Sequence, residues 1–444
     1  MDCRSLQALS RRLVAAVGLL LLGALSASAD LSSYLAKPDN AFKWELKRVV
    51  EKPQGKVYHL HLVSQVWQGI TWEHQLLVFE PQKLEFPNVM GLVISGGRNG
   101  EGDAGEGDYD LGFAIAGAAG GRIAILKQVP NQPLFNGLTE DALISYTWVK
   151  YLETGDEDWV VNFAMAKAAI RALDCLDAFA QDKWGGKPRG YVVLGASKRG
   201  WTTYLTGIAA PQRVVGIAPM VFDILNMPVQ IQHQRDFWGA YSEEINDYTE
   251  KGLQDMTADE RGFRLSWMVD PYNFRDRLTM PKLVILGSND PYWPTDAVNY
   301  YFPALPTPRA LLIAPNSGHG LEDRVRVLGS VAAFLRLVAK QQPLPHLTWQ
   351  WDESREGLVL HVKQDASAPK SVQSRVWVAR SPVQDFRPAK WEEAPLPAQG
   401  DELTTAIARA DGRYTAAYGE AMFKVDSTVL CLSTQPRVIA PTPK

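Results

Sequence analysis

The sequence predicts an α/β protein: a mostly parallel sheet covered by helices, with a helical cap insertion and a small C-terminal β-sandwich-like domain. Three observations carry that expectation. Between residues 56 and 316 short β-rich runs alternate with helical stretches, as parallel strands joined by crossover helices must. Several of those runs are nearly continuous in apolar residues, which strands buried on both faces require. Beyond Gln341-Gln342-Pro343-Leu344-Pro345, which reads as a linker, the hydrophobic period falls to two.

The strands of the first region are expected at Val57–Trp67, Gln75–Glu80, Val89–Gly96, Arg122–Gln128, Tyr191–Gly195, Val214–Phe222, Lys282–Gly287 and Arg309–Pro315. Val161, Met165, Ala168, Ala172 and Leu176 recur at helical spacing within Asp158–Asp182. Residues 224–280 interrupt the alternation and read as a mostly helical insertion. An amphipathic helix over Val327–Leu337 closes the region. Short strands follow at Thr348–Trp351, Leu358–Val362, Arg375–Val378, Lys390–Glu392, Gly412–Tyr418 and Phe423–Leu432. Roughly a hundred residues of this kind suggest a sandwich of the immunoglobulin or fibronectin type. The expected domains are therefore 30–345 and 346–444.

Residues 1–29 read as a signal peptide. Arg4, Arg11 and Arg12 form a positive leader, Leu13–Leu25 an apolar stretch, and Ala27-Ser28-Ala29 a cleavage site. The apolar stretch is shorter than the roughly 20 residues of a membrane span. The expectation is export to the periplasm or beyond, by the general or the twin-arginine route, with a mature chain starting at Asp30. Cys175 and Cys431, the cysteines left after cleavage, read as two separate buried thiols.

Composition excludes several functions. The 444 residues carry 46 Lys and Arg against 49 Asp and Glu, a formal charge of −3, so there is no general basic surface for nucleic acid. With seven histidines and no C-x-x-C or H-E-x-x-H spacing, a structural zinc site is not expected. No cofactor is expected either. The acidic run from Glu101 to Asp110 does not match a calcium loop and reads as a solvated segment. Fourteen tryptophans suffice for large cores and an aromatic pocket.

The chemistry is concentrated in Tyr191-Val-Val-Leu-Gly195-Ala-Ser197-Lys-Arg-Gly200. An apolar strand runs into Gly-x-Ser and then into a helix-compatible stretch, the setting of a nucleophile elbow. The sharp turn lifts the serine hydroxyl into the open end of the sheet. Arg199 stands where such elbows have glycine, so its side chain is expected to point outward. Asp290 follows the strand at 282–287, and His319, flanked by Gly318 and Gly320, follows the strand at 309–315. The order Ser197, Asp290, His319 is that of the α/β-hydrolases. Asp270 and Asp296 are competitors for the acid, without strand-end placement. Oxyanion donors are expected from the Lys198 N–H and from Gly96 or Gly97 in the loop after the third strand.

The sequence also resembles the PhoPQ-activated pathogenicity-related protein family. The resemblance rests on Trp72-Glu73-His74, Gly96-Gly97, Gln128-Val129-Pro130-Asn131-Gln132, Tyr146-Thr147-Trp148, Gly195-Ala-Ser197-Lys-Arg-Gly200-Trp201 and Asp270-Pro271-Tyr272. It covers about residues 40–345 and implies an exported α/β-hydrolase fold, with Arg199 as the family's own form of the elbow. It supplies no substrate, and it admits secreted regulators as well as enzymes. The resulting expectation is an exported serine hydrolase cleaving an ester or a peptide bond of a small-molecule or peptide substrate through an acyl-enzyme. Ser197 is the expected nucleophile, His319 the base and Asp290 its orienter, with Trp238, Tyr241 and Trp267 of the cap shaping the pocket. The rivals are a non-catalytic secreted signalling protein on the same scaffold and a carbohydrate esterase.

Overall fold

The computed structural model describes residues 30–364, 370–399 and 402–442. The segment read as a signal peptide, with Ala27-Ser28-Ala29, lies outside them. Of the described residues, 30–38 belong to a unit of their own. Its described part holds one short helix, α1 (Leu31–Ala36), closed by a reciprocal capping box between Asp30 and Ser33. Everything from Asp39 onward is a second compact unit.

That unit is built on a nine-stranded sheet in the order β1-β2-β3-β5-β4-β6-β7-β8-β9. The first three strands, β1 (Lys43–Lys52), β2 (Gly55–Trp67) and β3 (Ile70–Pro81), are joined by tight turns and pair antiparallel. The rest of the sheet, β4 (Phe86–Ile94), β5 (Gly121–Leu126), β6 (Gly190–Ala196), β7 (Val214–Met220), β8 (Lys282–Gly287) and β9 (Arg309–Ala314), runs parallel. β5 is buried at every position: Ile123–Leu126 are an unbroken apolar run, and the buried Arg122 is paired with Glu80 at 2.6 Å. β1 was not foreseen. It is a charged, mostly exposed edge strand, and the lysines and glutamates that protect such an edge erase the hydrophobic signal.

Crossover helices α2 (Glu106–Ala119), α3 (Glu140–Thr154), α4 (Val161–Trp184) and α5 (Lys198–Ala209) cover the sheet. Of the acidic run seen in the sequence, 101–105 remain a loop and Glu106–Asp110 open α2, where Asp108 meets Lys127 at 2.8 Å. Residues 224–280 form the helical insertion, with α6 (Met227–Trp238) and α7 (Glu260–Val269) joined by short 3-10 turns and one α-helical turn at Asn246–Thr249. The amphipathic helix α8 (Arg324–Lys340) returns across the sheet and then meets the C-terminal strands.

Those strands form two antiparallel sheets. One contains β10 (Leu347–Glu353), β11 (Gly357–Gln364), β14 (Ala398–Gln399) and β15 (Glu402–Ala408). The other contains β12 (Gln373–Ser381), β13 (Trp391–Pro395), β16 (Tyr414–Val425), β17 (Thr428–Ser433) and β18 (Arg437–Ile439). The expected strand at Phe423–Leu432 is a hairpin instead, because Asp426 adopts a left-handed φ of 52° and turns the chain between β16 and β17. β15 escaped notice because its buried apolar residues, Leu403 and Ile407, lie four apart, a spacing that fits a helix as well. The core is continuous: Val331, Phe334 and Leu335 of α8 belong to the same buried cluster as Leu430, Leu432 and Val376. Cys175 and Cys431 are both buried and unpaired.

Candidate active site

Ser197 sits between β6 and α5 with φ 57° and ψ −126°, a conformation that costs a non-glycine residue roughly 1–3 kcal/mol. Two glycines make the turn possible. A Cβ on Gly195 would lie 2.4 Å from the Arg199 carbonyl, and one on Gly200 would lie 2.8 Å from the Met220 carbonyl. The Ser197 N–H donates to the Met220 carbonyl at 2.9 Å, which pins the elbow to β7. Lys198 is the first residue of α5, so its N–H has no acceptor within the helix and faces outward at the positive helix end.

His319 and Asp290 meet from the loops that follow β9 and β8. The ring Nδ1 lies 2.9 and 3.1 Å from the two Asp290 carboxylate oxygens. A Tyr292 N–H donated to Asp290 Oδ1 at 3.0 Å steadies the carboxylate, and the Tyr292 ring packs on the imidazole with centroids 4.2 Å apart. His319 Nε2 is buried and, among the described residues, has no hydrogen-bond partner. An imidazole held by a carboxylate at one nitrogen and unengaged at the other is equipped to exchange a proton there. The competing acids are occupied elsewhere. Asp270 accepts backbone N–H groups from Met227 and Tyr272, and burial pushes its carboxyl up to about 6 against those bonds. Asp296 pairs with His233 at 2.7 Å.

Ser197, Lys198 and His319 line one cavity of about 360 Å³, walled by Trp148, Trp201, Phe222, Met227, Tyr248 and Tyr292 among others. Tyr241 also lines it. Trp238 and Trp267 do not. Trp238 lies under the Arg387 guanidinium, 4.3 Å from its ring. In α7 it is Ser266 that faces the cavity, and one residue further round the helix Trp267 packs edge-on against Phe274.

Gly96 and Gly97 are likewise not among the residues lining the cavity. The absence of a side chain at Gly96 has another cause: a Cβ there would lie 2.6 Å from the Arg199 guanidinium. Arg199 does not point outward as expected. It is 9% exposed and runs beneath the loop, where Nη1 and Nη2 each bond Glu140 at 2.7 Å and Nε donates to the Val129 carbonyl at 2.6 Å. Burial acts to raise the Glu140 carboxyl, but the bonds and charge of Arg199, with Gln132 and Lys198, together outweigh it and hold the group at about 2.

Beside this pair stands a second one that the sequence did not disclose. Lys198 Nζ donates to Asp141 at 2.7 Å, and the Tyr248 hydroxyl donates to the other Asp141 oxygen at 2.9 Å. Two adjacent acids at a helix start usually complement the helix dipole, so Glu140-Asp141 gave no sign of gripping two adjacent basic residues of the elbow. Tyr292 was findable, since it follows Asp290 by two residues.

The profile of the PhoPQ-activated pathogenicity-related protein family matches residues 31–387. The chain is 32% identical over 371 residues to autocrine proliferation repressor protein A of Dictyostelium discoideum, an overlap of 79% of this chain and 74% of that one. Among solved structures it is similar to acetyl xylan esterase 1 from a Thermoanaerobacterium species (14% identity, 68% of this chain and 92% of that one, TM-score 0.46). It is also similar to an S-formylglutathione hydrolase from Agrobacterium tumefaciens (13% identity, 67% and 99%, TM-score 0.44).

Proposed function

We propose that this chain, which belongs to the PhoPQ-activated pathogenicity-related protein family, is a serine hydrolase that cleaves an ester or amide through an acyl-enzyme. One observation carries the reading. A serine at a strained strand-to-helix turn opens on the same cavity as a histidine whose Nδ1 is held by a carboxylate and whose Nε2 is unengaged. In this reading Ser197 Oγ attacks the carbonyl while His319 Nε2 takes its proton. Asp290 fixes the tautomer and stabilises the imidazolium, and the Lys198 N–H donates to the oxyanion. His319 then returns the proton to the leaving group, and water repeats the sequence on the acyl-enzyme.

The test is a fluorophosphonate probe on the purified protein, with the labelled peptide mapped by mass spectrometry. Labelling of Ser197 supports the enzyme, and an unlabelled, folded protein overturns it. The name of the Dictyostelium relative favours a second reading, a secreted regulator on a hydrolase scaffold, and the same absence of labelling would support it. Export belongs to both readings. The chain recovered outside the cytoplasm is expected to begin at Asp30, because small residues at Ala27 and Ala29 follow the apolar stretch. N-terminal sequencing that finds Leu13–Leu25 retained would replace export of a free protein with membrane attachment. Among the described residues no helix is long and apolar enough to cross a membrane.

The cavity wall supports an apolar acyl group or side chain as the part of the substrate that is recognised. Truncating one aromatic ring costs contacts of about 1–3 kcal/mol, or roughly 5- to 150-fold in preference between long and short acyl groups. Trp148→Ala and Tyr241→Ala are therefore expected to shift the acyl-chain profile while probe labelling of Ser197 survives. An unchanged profile in both variants would remove the cavity from substrate selection.

A further inference from the structure

The loops that carry Asp290 and His319 are bound to each other and, together, to one segment of the C-terminal domain. Between the loops, the Asn289 N–H donates to the Ser317 carbonyl and the Asn316 N–H donates to Ser288 Oγ, both at 2.9 Å. A Cβ on Gly287 would lie 2.4 Å from the Ser317 and Gly318 carbonyls, so the two turns are in direct contact. Ser288 Oγ donates onward to Asn289 Oδ1 at 2.6 Å, which fixes the orientation of that amide. Its nitrogen then faces three carbonyls of the distant segment, Phe386 and Arg387 at 3.1 Å and Ala389 at 2.7 Å. On the other loop the Asn316 amide makes a reciprocal pair with Trp391, accepting its N–H at 2.8 Å and donating to its carbonyl at 2.9 Å.

The segment is a firm anchor. Phe386 and Trp391 are each 1% exposed, and Trp391 packs on the buried Tyr418 with ring centroids 5.1 Å apart. Its Arg387 is steered by bonds to Asp385 and lies over Trp238 of the cap. One asparagine immediately precedes Asp290, and the other lies three residues before His319.

We propose that Phe386–Trp391 is a positioning element of the catalytic centre: through Asn289 and Asn316 it holds the acid loop and the histidine loop in mutual register. The catalytic part of the statement rests on the serine-hydrolase reading. The cap holds the acid loop only beyond Asp290, through Gln234 and Ser242 on the Tyr292 and Pro291 carbonyls. The residues that precede Asp290 and His319 therefore rely on the two asparagines, and a histidine displaced by about 1 Å loses on the order of 100-fold in rate. The C-terminal strands add rigidity there from outside the nine-stranded sheet.

The test compares Asn289→Ala and Asn316→Gly with Asn299→Ala in the full chain. Glycine is used at 316 because Asn316 has φ 51°, so the variant removes the amide without adding backbone strain. Asn299 bridges the same two regions through the Pro436 carbonyl and Gln435 but touches neither catalytic loop. Turnover of p-nitrophenyl butyrate, normalised to Ser197 titrated by fluorophosphonate, is expected to show kcat lowered about 10- to 100-fold in the first two variants. KM should stay within about twofold, and Asn299→Ala should match the wild type in both constants. Hydrogen–deuterium exchange should accelerate in 287–292 and 316–320 for the first two variants only. Unchanged exchange in those segments, or an equal loss of kcat in Asn299→Ala, overturns the proposal. If the wild type neither labels nor hydrolyses the ester while the two loops still loosen, the hydrolase reading falls and the clamp stands as architecture.

Discussion

Ser197→Ala is expected to lower hydrolysis by about four to six orders of magnitude, and His319→Ala by a similar amount, because triad members act as a unit. The double variant should be scarcely worse than either single one. What remains is the contribution of substrate binding and the oxyanion donor. Neither change should unfold the protein. Ser197 is half-buried at the cavity wall, and its hydroxyl is not what holds the elbow; the Ser197 N–H on the Met220 carbonyl does that. Loss of His319 leaves Asp290 with the Tyr292 N–H still in place. Stability in urea should therefore stay within about 1 kcal/mol of the wild type. Hydrolysis at the parental rate by folded Ser197→Ala would remove the mechanism outright.

The sheet was legible because its strands are buried on both faces and written in unbroken aliphatic runs such as Val192–Leu194 and Leu283–Leu286. The convergence of Ser197, Asp290 and His319 was legible for a related reason. In a parallel sheet each strand delivers the residues after its C-terminal end to one edge, so three polar residues after three strands converge without any contact being known. Side-chain direction was not legible. Nothing in the spacing tells which face of α7 turns to the cavity, so Ser266 lines it where Trp267 was expected. Nor can local sequence report partners 29 to 100 residues away, and Asn289 reads as an ordinary turn residue until Ala389 is beside it. The same limit hid the destination of Arg199, whose acid partner lies 59 positions upstream.

That arginine supports the second large effect. Arg199→Ala is expected to destabilise the protein by about 3 kcal/mol in urea unfolding, in the range for breaking one side of a largely buried pair. The variant loses both Glu140 bonds and the bond to the Val129 carbonyl, and it opens a gap beneath Gly96. Glu140→Gln should cost less, about 1–2 kcal/mol, because its side chain is 38% exposed and solvent screens part of the attraction. The pH dependence separates the ion pair from simple packing. A carboxyl held at about 2 when folded, against an ordinary value of 4.5, stabilises the fold fully above that ordinary value. The contribution drains away as pH falls from 4.5 toward about 2. Wild-type stability should fall across that window more steeply than that of Glu140→Gln or Arg199→Ala, which keep only the slope of the other paired carboxyls. A double-mutant cycle with a coupling indistinguishable from zero would show that the arginine acts only as filler under the loop. Arg199→Gly is the sharper form of the test, since it writes the common Gly-x-Ser-x-Gly elbow into this chain. In this protein that change should weaken the site rather than perfect it, because the buried guanidinium occupies the ground on which the Gly96 loop rests.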